Sequence, residues 1–159
     1  MSLTTAQLTT LKAAILADST LNSYPNTADG AYDMCRNKLN VVFSPEFTVW
    51  QDQLTPDLFD AGLIAGATQI DGLTQGKRDE LFMVGSRTRD ANNLAVRAAI
   101  DDATGSANTL KNALIAVTKR PALYGEKIFA TGTGSNASPA SLVVYGQIAY
   151  TDVQAARRL

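Results

Sequence analysis

The sequence predicts a mainly α protein: a small helical bundle over residues 1–130, with an extended C-terminal tail, residues 131–159, that contains a short β segment. Three observations predict it. Apolar residues before position 130 recur at three- and four-residue spacing. Helix-start signals precede several of those runs. A stretch rich in Gly, Ser and Asn, Thr131-Gly-Thr-Gly-Ser-Asn-Ala-Ser-Pro-Ala140, then separates the last helix from the apolar run Leu142-Val-Val-Tyr145.

The first helix begins at Thr4, which has capping-box spacing with Gln7, while Leu3 and Leu8 have the spacing of a hydrophobic staple. Leu8, Leu11 and Ile15 share one face, and the helix ends near Asp18. After the turn-rich residues 19–26, with Tyr24-Pro25 pushing the backbone extended, Ala28, Tyr32, Cys35 and Leu39 form the stripe of a second helix. Val41 to Trp50 reads as a strand or an extended crossing segment anchored by Trp50. Thr55-Pro56-Asp57 places an N-cap, a Pro at N1 and an acid in the first turn of a short helix, with Gly62 and Gly66 following closely. Leu73-Thr74 opens a helix to Gly85 that offers Leu81, Phe82 and Val84 to the core. Another runs from Asp90 or Asn92, carrying Leu94, Ala95, Ala98 and Ile100, to the stop at Thr104-Gly105. Ser106 is placed to cap a helix bearing Leu110, Leu114 and Val117, with Lys119-Arg120 at its C-terminal end and Pro121 breaking it. A last helix of the body lies around residues 122–130. β structure is expected only in the tail and at residues 47–51.

Composition narrows the function. At 159 residues the chain is one domain plus an extension, and 45% hydrophobic with 18% charged residues is ordinary for a globular protein. A net charge of −1 argues against sequence-independent DNA binding, which needs clustered Lys and Arg. One cysteine excludes an internal disulfide, and the absence of histidine removes the commonest general base and metal ligand. No cofactor, metal or catalytic residue is expected. Neither a signal peptide nor a membrane-length apolar run is visible, so the chain reads as soluble and made in a cytoplasm.

The tail carries the functional expectation. Leu142, Val143, Val144 and Tyr145 are apolar at successive positions, so a strand there needs a partner on both faces. Ordering so long a segment costs tens of kcal/mol of backbone entropy, at roughly 1–2 kcal/mol per residue. The tail must therefore fold back on its own domain or add to a sheet or groove on another chain. The second option is the functional one. It makes Leu142, Val143, Val144, Tyr145, Ile148, Tyr150, Val153, Arg157 and Arg158 docking residues, with Gly132, Gly134, Ser135 and Pro139 as the linker. Thr151 and Gln154 repeat the capping-box spacing, so a short helix ends the tail and sets Arg157 and Arg158 to meet a carboxylate on another subunit or the helix dipole.

The run from Lys119-Arg120 to Glu126-Lys-Ile-Phe-Ala130, then Thr131-Gly-Thr-Gly-Ser, Ala137-Ser-Pro-Ala140, Asp152-Val153 and Ala156-Arg157, resembles the C-terminal half of a family of small virion proteins of tailed bacteriophages. These are the head-to-tail connector proteins, also called adaptors or head-completion proteins. Phe47-Thr-Val-Trp50 adds to the likeness, while Pro121 and Gly125 stand where helix-compatible residues are expected. The resemblance implies a non-enzymatic neck protein made in the bacterial host cytoplasm. Its body would form a dodecameric ring and its tail would clip onto the portal. Neighbouring copies and the next neck or tail protein would be its other partners, and genomic DNA would pass through the channel without specific binding. A head decoration, stopper or tail-completion protein is the alternative. A small helical enzyme or regulatory binding domain is the reading from a different class.

Other motifs have ordinary explanations. Gly132-Thr-Gly134 follows a helix instead of preceding one, which is not the context of a phosphate loop. Asn136-Ala-Ser138 matches a glycosylation pattern by chance. Adjacent Asp101 and Asp102 point about 100° apart on a helix and make no paired-carboxylate site. Residues 77–80 read as an exposed charged face or a subunit contact, and Arg87, Arg89 and Arg97 as surface pairs or channel-facing cations. Cys35 is a small core hydrophobe without a base to activate it.

Overall fold

The computed structural model describes residues 2–159. The protein is mainly α, with a small two-stranded sheet. It divides into two compact units: one contains the chain up to Phe47 together with Pro121–Leu159, the other Thr48–Arg120. The chain thus parts at two points, neither of them the expected boundary at residue 130, and residues 131–159 belong to the same unit as the N-terminal helices.

In the terminal unit, α1 (Thr5–Ala17) starts as its sequence predicts. The Thr4 hydroxyl accepts from Gln7 N–H, and the Gln7 amide oxygen accepts from Thr4 N–H at 2.9 Å. Leu3, Leu11 and Ile15 enter the core and Leu8 packs beside them. Asp18 ends α1 and caps α2 (Ser19–Asn22), accepting from Thr20 N–H at 2.8 Å. The Tyr124 hydroxyl also donates to Asp18, which holds that carboxyl below its usual pKa, while burial and the Asp18 charge push the Tyr124 phenol up to about 12.

Helix α3 (Ala28–Met34) is capped by Thr27 and continues into a π-helical turn, Cys35–Leu39. The buried set is Ala31, Met34, Cys35 and Leu39, whereas Ala28 and Tyr32 of the expected stripe face solvent. Ala31, Met34 and Cys35 stand at i, i+3 and i+4 and set the buried face, which turns Ala28 and Tyr32 outward. Helices α8 (Tyr124–Phe129) and α9 (Tyr150–Arg158) complete the unit, with α9 packed on α1 and α3, and α8 packed on α1 and the π turn.

The central unit holds α4 (Pro56–Ala65), α5 (Gln75–Gly85), α6 (Leu94–Thr104) and α7 (Asn108–Val117) around Leu54, Phe59, Leu63, Leu81, Ile100, Leu110 and Leu114. Thr55, Thr74 and Asn93 cap three of them through their side chains. Gly62 and Gly66 mark where α7 crosses α4, because a Cβ on Gly66 would lie 2.5 Å from Leu110 Cα. Phe82, 56% exposed, lies outside the core it was expected to join, and Leu94 is exposed as well. Ser106 does not cap α7; the Gln69 side chain takes that part by accepting from Leu110 N–H at 3.0 Å. Nor do Lys119 and Arg120 end a helix. They lie in β2 (Lys119–Pro121), paired with β1 (Thr48–Trp50), and Arg120 Nη2 meets Asp52 at 2.8 Å. Asp101 and Asp102 pair with Lys111 and Lys77, as exposed helix carboxylates do. Arg97 stacks over Trp50 at 4.1 Å and donates to the Ala91 and Asn92 carbonyls, while Arg89 donates to those of Met83 and Val84, so both are occupied locally.

Candidate interaction surface

The C-terminal strap, residues 131–159, is where the sequence places the docking residues, and the structure gives each a definite position. Gly132 and Gly134 take positive φ values of 118° and 65°, and a Cβ on Gly134 would lie 2.1 Å from the Phe47 ring. The linker is thus a folded turn: Thr131 and Ser141 exchange both backbone hydrogen bonds, at 2.9 and 2.8 Å, around it. Pro139 is buried, and Ser135 holds Ser138 N–H at 3.0 Å. Residues 142–145 form no strand; the β structure of the strap is confined to isolated bridge positions at Thr131, Ala140 and Ser141.

Beyond the bridge the chain alternates. Leu142 and Val144 are buried and Tyr145 is half-buried, while Val143 is 51% exposed. Val144, Ile148, Val153 and Ala156 are part of the terminal unit's own core, beside Leu11, Ile15, Leu21, Met34 and Leu39. The apolar run therefore finds its partner surface within its own chain. Tyr150 is 46% exposed and sets its ring edge-to-face against Tyr32, with centroids 6.5 Å apart.

Polar clamps hold the strap between these anchors. Glu126 is fully buried; its Oε2 accepts from Leu123 N–H at 2.9 Å, which starts α8, and its Oε1 accepts from Gly146 N–H at 3.0 Å. Asn40 grips Ile148 twice, its Oδ1 accepting from the N–H at 2.8 Å and its Nδ2 donating to the carbonyl at 3.0 Å. Asp152 Oδ1 accepts from Leu3 N–H at 3.2 Å. Helix α9 starts at Tyr150, two residues before the expected start at Asp152, and Thr151 does not cap it. Arg157 leaves the helix dipole and donates to the carbonyls of Pro25 at 2.6 Å and Tyr24 at 2.9 Å; Arg158 is exposed.

The sequence reading missed Asn40, Glu126 and Asp152 as clamps. Only Glu126 carried a local signal, its position three residues after Leu123, where a glutamate reaches back to the first free amide of a helix. Glu126→Ala is expected to leave two part-buried N–H groups without this acceptor. At about 1–3 kcal/mol for each unsatisfied group, urea denaturation should show a loss of several kcal/mol.

Cys35 lies under the strap. Burial first, and then the Asp152 charge, push its thiol from the usual 9.0 up to about 11. The fold favours the neutral thiol, so this stabilisation is complete below about pH 9 and is lost as pH rises through about 11. Alkylation by iodoacetamide should therefore stay slow in the folded protein at pH 9, where the unfolded chain reacts readily.

Among the described residues no group of His, Cys, Asp and Glu is placed to hold a metal ion, and no helix is long and apolar enough to cross a membrane. What the strap offers chemically is a surface. Val143 is held outward between the buried Leu142 and Val144, and Tyr150 and Arg158 stand exposed on α9, whose Val153 and Ala156 are buried. Comparison with known proteins finds no matching family, no similar curated protein and no similar solved structure.

Proposed function

We propose that this chain is a structural virion protein of a tailed phage, a head-to-tail adaptor that assembles as a ring on the portal at the particle's neck. The resemblance of residues 119–157 to connector proteins supports the reading. So does one geometric observation: the strap is pinned by the buried Leu142, Val144, Ile148, Val153 and Ala156 and presents Val143 and Tyr150 to solvent. A fixed backbone has already met most of its ordering cost, so docking through these side chains loses little further entropy. Neighbouring copies and the next neck or tail protein would complete the ring, and genomic DNA would pass without specific binding. Leu142, Val144, Ile148 and Val153 would act in docking as the strap's anchors, leaving the contact itself to the exposed residues.

Native mass spectrometry of the portal ring from the same particle, mixed with the full chain or with a Val143→Asp/Tyr150→Asp variant, tests the proposal. The full chain should add a fixed number of copies per ring and the variant none, with unchanged helical circular dichroism. Equal binding by both would move the contact away from the strap. No binding by the full chain would overturn the adaptor reading.

A further inference from the structure

A cleft of about 290 Å³ lies in the terminal unit between α1, the loop that follows α2 and the last turn of α9. It shares no residue with the Val143 and Tyr150 surface. Its lining includes two cations, Lys12 and Arg157, and no acid; the carboxamides of Asn22 and Asn26 add polar groups, and Ile15 and Leu16 form an apolar wall.

The two cations are in unequal settings. Arg157 is half-buried and held in place by three carbonyls: Nη1 donates to Pro25, and Nη2 donates to Tyr24 and, at 3.4 Å, to Leu21. A guanidinium has five N–H donors, so these contacts fix its plane and leave donor capacity over. All three partners are neutral. Burial lowers the Arg157 pKa, which marks a positive charge partly stripped of water, and among the described residues Arg157 takes part in no ion pair. Lys12 is half-buried on α1, and among the described residues it takes part in no ion pair. Asp18, the acid that closes α1, is turned to Tyr124 and to the amides of α2.

We propose that this cleft binds an acidic side chain of a partner polypeptide, a Glu or Asp with an apolar neighbour. The carboxylate would meet the pre-positioned guanidinium and Lys12, forming charge-assisted hydrogen bonds where the arginine has already lost part of its hydration. The apolar neighbour would cover Leu16, which is 60% exposed on the wall of the cleft. That wall favours a peptide over a free inorganic anion, which would leave it uncovered. The asparagine amides suit the peptide backbone on either side.

Titration of the full ¹⁵N-labelled chain by NMR decides it, using acetyl-Leu-Glu-Leu-amide, acetyl-Leu-Gln-Leu-amide and inorganic phosphate as separate probes. The glutamate peptide should shift the amides of Lys12, Leu16 and Asn26, binding at least tenfold more tightly than the glutamine peptide. Lys12→Glu, which leaves the Arg157 contacts in place, should abolish those shifts. Equal shifts from both peptides would reduce the site to an apolar contact and overturn the proposal. Shifts from phosphate without shifts from the glutamate peptide, or no shifts from any probe, would overturn it as well.

Discussion

A chain ending at Ala130 is expected to lose the fold of its terminal unit while keeping that of the central one. The deletion removes Val144, Ile148, Val153 and Ala156 from a core they share with α1 and α3. At roughly 1.5–3 kcal/mol for each large side chain taken from water, Val144, Ile148 and Val153 alone represent about 5–9 kcal/mol. A domain's whole stability is about 5–15 kcal/mol. The deletion also strips Glu126, Asn40 and Leu3 N–H of their partners in the strap. Limited proteolysis should cut rapidly within residues 1–47 and spare residues 48–120, with helical circular dichroism reduced to match. A truncated chain that melts cooperatively with full helical signal would contradict the shared core. Surface substitutions, not truncation, are therefore the proper probe of docking.

Gly30→Ala is expected to cost about 3 kcal/mol, at the upper end of what overpacking a closed site does. The added Cβ would lie 2.1 Å from the Pro25 carbonyl oxygen and 2.9 Å from its carbon. Both are backbone atoms in a loop that Arg157 also holds, so neither can rotate aside. Gly76→Ala is the control. Nothing lies within 4 Å of a Cβ there, and the position is in the first turn of α5. Alanine should stabilise that helix by about 0.5–1 kcal/mol through lost chain entropy in the unfolded state. Urea denaturation of the two variants should move the midpoint in opposite directions.

The parts of the fold that could be read in advance are those whose cause is local. Thr4 and Gln7, Thr55 with Pro56, and the Thr104-Gly105 stop act within one turn of helix, and each acts as its spacing indicates. Where a neighbour distant in sequence intervenes, the reading changes. Lys119 and Arg120 look like a basic helix end, yet pairing with residues 48–50 makes them a strand. Ser106 has a capping side chain, yet Gln69 satisfies the helix start instead. Leu142 to Tyr145 does need a partner on its apolar faces, but no local pattern tells whether that partner is the same chain or another.

Spacing and capping act over three or four residues, so the mainly α character, the starts of α1, α4 and α5, and the apolar positions of the C-terminal strap were legible in the chain alone. Only the tertiary structure decided that the strap is part of the terminal core, and that Asn40, Glu126 and Asp152 clamp it. Those contacts join residues as far apart as Leu3 and Asp152, and their energy depends on burial that exists only once the chain has closed.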